Sequence, residues 1–190
     1  MKVLGVLPFA RFLIENVLQP GDCAIDCTVG NGHDTIFLAK LVGENGHVFG
    51  FDIQAQAISS TTTRLNEEKL GDRVTLFQIG HEHVLDTIPK QSQSKIKAAI
   101  FNLGYLPGGD KTIVTKPTST LAAISVLLDL MPKGGTIVLV IYHGHEEGQI
   151  EKDHVLTFVE QIDQRMAHVL KYEFINQANN PPFVIAIEKR

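Results

Sequence analysis

From Gly21 onward, short apolar runs rich in β-branched residues alternate with longer stretches in which apolar residues recur at helical spacing. The runs predict strands over Cys23–Cys27, His47–Asp52, Val74–Ile79, Ala98–Asn102 and Thr136–Ile141. Between them the pattern predicts helices over Asp34–Val42, Gln54–Leu70, His83–Ile88 and Lys116–Leu130. Gly43–Gly46, Gly71–Asp72 and Pro132–Gly135 fall where helix ends and turns are expected. Strand-helix alternation with buried strands implies a parallel sheet covered by helices on both faces. The last third changes rhythm. A helix over Glu151–Gln164 leads to Val169–Phe174, a loop Asn176–Pro182 and Phe183–Ile187. Two strands with no helix between them predict an antiparallel hairpin. The expected fold class is α/β, Rossmann-like, with a seven-stranded, mostly parallel sheet closed by that hairpin.

The first twenty residues, Met1 to Pro20, set Leu7, Phe12, Leu13 and Val17 at helical spacing. Pro8, Arg11, Glu15 and Asn16 interrupt the apolar stretch, so it reads as an amphipathic cap helix and not a signal peptide. No run reaches the roughly 18 apolar residues of a membrane span. Without repeats or linkers, the expectation is one domain over residues 1–190, cytoplasmic, with a helical cap over 1–20.

Composition adds mainly exclusions. With 17 Lys+Arg against 21 Asp+Glu, the charge of −4 argues against a broadly basic nucleic-acid grip, though not against a local basic patch. Cys23 and Cys27 match no zinc spacing and read as buried small hydrophobes, so no metal site is expected.

The sharpest motif follows the first strand, Asp26-Cys27-Thr28-Val29-Gly30-Asn31-Gly32-His33-Asp34-Thr35. Two glycines one residue apart permit a tight turn and close backbone approach to a ligand. At the end of the next strand, Asp52 precedes Ile53-Gln54, where a carboxylate can accept both hydroxyls of a ribose. A dinucleotide site needs a further glycine opening the helix, and Asp34 there would repel a pyrophosphate. The Gly-Lys-Ser/Thr of a phosphate-binding loop is absent. S-adenosylmethionine carries a sulfonium and an ammonium in place of phosphates, and the acids Asp26 and Asp34 suit that charge.

Further candidates sit at the ends of later strands. Gly80-His81-Glu82 offers a polar partner for an adenine amino group, or alternatively a cap for the next helix. Asn102-Leu103-Gly104-Tyr105 faces the ligand edge, and Asn102 supplies a carbonyl oxygen able to orient an amine. Tyr142, His143 and His145 follow the fifth strand, beside Tyr105 in the expected sheet. Tyr142 reads either as a substrate-stacking ring or as strand-end packing. His145 reads as a substrate contact or as a partner of Glu146 or Glu147. Asn180-Pro181-Pro182-Phe183 reads as a pocket wall or a rigid turn, and Lys111, Lys116, Lys133 and Lys152 as phosphate contacts.

Longer strings carry a family resemblance. They are Leu7-Pro8-Phe9-Ala10, the Asp26–Thr35 loop, Phe51-Asp52-Ile53-Gln54, and the segment from Phe101 through Asn102-Leu103-Gly104-Tyr105 to Asp110. Thr115-Lys116-Pro117, Tyr142-His143-Gly144-His145, Phe174-Ile175-Asn176-Gln177 and Asn180-Pro181-Pro182-Phe183 complete the set. In these strings the chain resembles the rRNA methylase family of Gram-positive bacteria, the YtqB/MnmM type. The resemblance implies a class I fold using S-adenosylmethionine and, despite the family label, N-methylation of the 5-aminomethyl group on the wobble uridine of tRNA. It also implies a homodimer that engages the tRNA anticodon arm. His143 is a departure, since many relatives have proline in Tyr-Pro-Gly-His, and it enters the candidate set by position alone. From the residues by themselves, an rRNA or small-molecule methyltransferase and a non-catalytic binding module remain the alternatives.

The expected donor-binding set is therefore Asp26, Thr28, Gly30, Asn31, Gly32, His33, Asp34, Thr35, Asp52, Ile53, Gln54, Gly80, His81, Glu82, Asn102, Leu103 and Gly104. Asn102, Tyr105, Tyr142 and His143 are the expected catalytic group, with Lys111, Lys116, His145, Pro181 and Pro182 on the substrate. In-line transfer to an amine asks the protein to align atoms, exclude water and present the amine unprotonated.

Overall fold

In the computed structural model, which describes residues 3–106, 108–110 and 112–190, seven strands form one sheet. They are β1 (Cys23–Asp26), β2 (His47–Phe51), β3 (Val74–Phe77), β4 (Ile96–Leu103), β5 (Thr136–Ile141), β6 (Ala167–Tyr172) and β7 (Phe183–Lys189). Their order across the sheet is β3-β2-β1-β4-β5-β7-β6. The first five pair in parallel, while β7 runs antiparallel to both β5 and β6. The expected parallel sheet with an antiparallel hairpin is what forms.

Alternate residues of each strand feed opposite cores. On one face Ala24, Val48, Ala98, Ile100, Val138 and Val140 meet helix α1 (Val6–Glu15), α2 (His33–Val42) and α3 (Ala55–Glu67). On the other, Phe49, Phe51, Phe101, Leu103, Leu139 and Ile185 meet α6 (Pro117–Leu130) and α7 (Glu146–Glu160). Every residue of β1 and β5 is buried, as a sheet covered on both faces requires.

Several boundaries differ from those expected. The helix expected over His83–Ile88 is a 3-10 turn at His81–His83 continued by α4 (Val84–Thr87), and a further short helix, α5 (Lys90–Gln93), precedes β4. Helix α7 begins five residues before Glu151, taking Gly148 into its first turns. A Cβ on Gly148 would lie 2.5 Å from the Tyr142 carbonyl oxygen, so this glycine marks a close helix-on-strand crossing and not a break. Helix α1 buries Ala10 and Ile14 and leaves Leu7 and Phe12 about half exposed, so its inward stripe is rotated from the expected one. Small Ala10 lets the helix sit close over Val138, Val140 and Val184. Among the described residues, no helix is long and apolar enough to cross a membrane.

Candidate active site

The order in which successive strands are added reverses between the parallel neighbours β1 and β4, and a cleft of about 930 Å³ opens beyond their carboxyl ends. The two strands are laced there by the Asn102 backbone N–H, which donates to Thr28 Oγ1 at 2.7 Å. Gly30 has a left-handed φ of +53°, and its N–H donates to Asp52 Oδ2 at 2.9 Å. The Gln54 N–H donates to Asp52 Oδ1 at 2.9 Å, so each carboxylate oxygen holds one backbone donor and keeps further acceptor capacity. Asp52 thereby joins the loops after β1 and β2 and faces the cleft, with Ile53 (57% exposed) and Ile79 as apolar walls.

Not every acid expected to face a cationic ligand does so. Asp26 is fully buried under the loop, where it accepts the Thr35 hydroxyl at 2.6 Å and the Thr28 N–H at 3.2 Å. Burial, then the neighbouring Asp34 charge, pushes its carboxyl up to about 7. Asp34 lines the cleft but is already engaged. Its Oδ1 accepts Arg11 Nε and Nη2 at 3.0 and 2.9 Å, and its Oδ2 accepts Asn102 Nδ2 at 2.9 Å. The acids therefore shape the loop and orient Asn102, because their lone pairs are taken from within the fold.

Gly32 and Thr35 likewise serve the scaffold. A Cβ on Gly32, at φ +77°, would lie 2.6 Å from Thr61 Oγ1 of α3, and Thr35 is buried against Asp26. Leu103 is buried in the core. Thr28, Gly30, Asn31, His33, Ile53 and Gln54 do line the cleft, as do Gly80, His81, Glu82, Asn102 and Gly104. His81 is buried, and its Nδ1 lies 2.8 Å from the Cys27 carbonyl oxygen, which can only accept, so Nδ1 carries the proton. Its Nε2 is then an acceptor, buried and with no hydrogen-bond partner. Burial holds this imidazole below its usual pKa and so neutral.

Tyr105, Tyr142 and His145 come together at the same edge, all lining the cleft. The Tyr105 and His145 rings meet edge to face at 5.4 Å, and no hydrogen-bond partner reaches the buried His145 Nε2. Burial, and next the Asp34 charge, raises the Tyr142 hydroxyl. Lys116 also lines the cleft, just before α6, whereas Lys111 falls outside the described residues.

His143, Pro181 and Pro182 do not line the cleft. His143 is buried, its Nε2 is 3.0 Å from the Pro181 carbonyl oxygen, and its ring packs edge to face on Phe183. The Asn180–Pro182 segment is thus the entry to β7, pinned to the end of β5, and does not line the cleft. Lys133 precedes β5 at the opposite edge of the sheet, and Lys152 bonds Gln149. Sequence reasoning missed Arg11 and Glu151. Buried Glu151 of α7 accepts the hydroxyls of Thr115 and Thr120, and Thr115 Oγ1 accepts the Gly104 N–H, which anchors the cleft-lining segment after β4. Burial raises the Glu151 carboxyl against the lowering effect of those hydroxyls. No local pattern marks either residue, since their partners are far away in the chain.

A doubly wound sheet closed by an antiparallel hairpin, with a glycine loop after β1 and a ribose-type carboxylate after β2, is the architecture of the class I S-adenosylmethionine-dependent methyltransferases. Asp52 and the unpartnered His81 Nε2 suit the hydroxyl and amino hydrogens of an adenosine. Residues 48–188 match the family described as "Putative rRNA methylase", and the chain belongs to that family. It is 34% identical over 188 residues to the "tRNA (mnm(5)s(2)U34)-methyltransferase, chloroplastic" of Arabidopsis thaliana, covering 95% of this chain and 68% of that one. Among solved structures it resembles a putative rRNA methylase from Clostridium thermocellum, with 45% identity, TM-score 0.96 and both chains fully covered. A putative methyltransferase from Streptococcus mutans, solved with SAH, matches at 36% identity and TM-score 0.90 over both full chains. The protein is an S-adenosylmethionine-dependent methyltransferase.

Proposed function

We propose that this enzyme N-methylates the 5-aminomethyl-(2-thio)uridine at the wobble position of tRNA, giving 5-methylaminomethyl-(2-thio)uridine. The observation that carries the reading is the state of Asn102. Its Nδ2 is engaged by Asp34, so the remaining acceptor, Oδ1, is the group it can offer in the cleft to the N–H of an incoming amine. The likeness to a chloroplast enzyme named for a wobble-uridine methylation supports the same acceptor class.

In this reading Asp52 holds the ribose hydroxyls of the donor, the His81 Nε2 accepts from its adenine amino group, and Ile53 and Ile79 cover the ring. S-adenosylmethionine supplies an electrophilic methyl on its sulfonium. The chain's own residues do the rest. Asn102 Oδ1 accepts a hydrogen bond from the amine and points its lone pair, Tyr105 and Tyr142 flank the base, and the His145 ring takes the proton that the ammonium must lose. Lys116 contacts phosphate of the anticodon arm. In this reading the enzyme acts in the cytoplasm as the homodimer that the resemblance implies, since a chain of charge −4 gains RNA-binding surface from a second copy.

The test is to incubate the protein and labelled donor with tRNA lacking the terminal methyl, and with rRNA in parallel, followed by nucleoside analysis. The expected product is the 5-methylaminomethyl nucleoside. Labelled rRNA with unlabelled tRNA overturns the reading in favour of an rRNA methyltransferase.

A further inference from the structure

We propose that Arg11, on the N-terminal helix α1, is a positioning residue for methyl transfer, acting through Asp34 to hold the Asn102 amide with its oxygen toward the acceptor. The inference rests on the reading that the acceptor nitrogen meets Asn102.

Asp34 is a carboxylate and can only accept hydrogen bonds. Facing Asp34 Oδ2 at 2.9 Å, the Asn102 amide must present its NH2, because a flipped amide would set oxygen against a carboxylate. The direction of Asn102 Oδ1 is therefore set by where Asp34 is held. Asp34 is held by Arg11, whose Nε and Nη2 both reach Oδ1. The Arg11 guanidinium lies 5.1 Å over the Phe37 ring of α2, which limits its orientation. The Asp34 side chain is only 12% exposed, so this ion pair is less screened than an ordinary surface contact, although Arg11 itself is 40% exposed.

Charge points the same way. Arg11 compensates Asp34, whose charge bears on Asp26 from β1 and on Tyr142 after β5, while His33, Lys116 and His145 line the same cleft. Without Arg11, Asp34 is a bare anion beside the acceptor site. It would stabilise a protonated amine, which has no lone pair to attack with. Arg11 thus keeps Asn102 aimed and the cleft free of an ammonium trap.

The test is a double-mutant cycle of Arg11→Met and Asn102→Ala, read as single-turnover methyl transfer to whichever RNA the wild type labels. Donor affinity is followed by calorimetry with S-adenosylhomocysteine, and folding by thermal melting. Arg11→Met should lower the transfer rate by about tenfold, the scale of a lost hydrogen bond to a charged group, with donor affinity held within about twofold. In the Asn102→Ala background the same change should cost clearly less, since the aiming role is gone and only the effect of the uncompensated Asp34 charge remains. Arg11→Lys, keeping the charge, should recover part of the rate. An equal cost in both backgrounds overturns the inference and leaves Arg11 as a strut for α1. A second arm needs no substrate: in protein labelled with 15N-asparagine, Arg11→Met should shift the Asn102 side-chain amide resonances. If the wild type labels no RNA, the proposed function falls, and this arm alone decides the inference. Unmoved Asn102 resonances overturn it.

Discussion

The two halves of the cleft are built on different plans. In the half that the proposed function gives to the methyl donor, the loops after β1 and β2 are tied to one another by backbone groups and short acids. Asp26 accepts Thr28 and Thr35, and Asp52 accepts Gly30 and Gln54. In the acceptor half, Tyr105, Tyr142 and His145 project from segments anchored one layer back, by Glu151 through Thr115 and Thr120. The first half is rigid because its polar atoms satisfy one another at close quarters, a network that costs little reorganisation when a ligand arrives. The second presents the broad, partly exposed rings of Tyr105 and Tyr142, which the proposed function sets against an RNA base.

Substitutions should separate these plans. The largest effect is expected at Asp26, through pH. Its carboxyl, raised from 3.8 to about 7 in the fold, is favoured protonated there, so its contribution to folding stability is fully present below about pH 4 and is lost as pH rises to about 7, because the unfolded chain gives up this proton first. The span is on the order of 4 kcal/mol. Asp26→Asn keeps an acceptor for the Thr28 N–H and should flatten that part of the stability profile, measured by urea unfolding at stepped pH. A profile of unchanged slope would place the titrating group elsewhere. Next, Asp52→Ala removes an acceptor that also fixes Gly30 and Gln54. Calorimetry with S-adenosylhomocysteine should show donor affinity weakened by about ten- to a hundredfold. If RNA affinity fell equally, the two halves would not be separable. The smallest effect is expected at Lys116. Lys116→Ala should weaken RNA binding a few-fold and lower the salt slope by about one, with donor affinity unchanged.

The same contrast governs how much of the molecule was legible from its residues. The donor half was readable because its signals are local. A glycine turn directly after one strand and an acid directly after the next need only the strand pattern to bring them together. The sheet was readable for a similar reason, since runs such as Thr136–Ile141 are apolar at every position, as a strand covered on both faces must be. What misled was direction. Asp26, Gly32 and Thr35 belong to the motif yet face inward, because β1 ends with Asp26 pointing beneath the loop and α3 brings Thr61 against Gly32. The Arg11–Asp34 pair spans 23 residues, and Thr115 and Glu151 are 36 apart. Neither separation has a periodicity, so only the packing of helices on the sheet creates these contacts. Pro181 and Pro182 looked like a wall, but the pairing of Phe183 with Ile141 sets them at the strand end, where His143 secures the turn.

The position of β7 has a consequence for the order of assembly. Residues 183–189 are made after the other six strands of this sheet, yet they insert between β5 and β6. Helix α1, made first, packs on the surface that β5 and β7 share, and Tyr172 of β6 stacks on Phe9 at 3.9 Å. The seat of this helix is therefore complete only when β7 is in place, although β5 supplies part of it earlier. By the inference above, the brace on Asn102 hangs on a helix whose seat includes the last-made strand of the sheet, which links the aim of one amide in the cleft to the closure of the far side of the sheet.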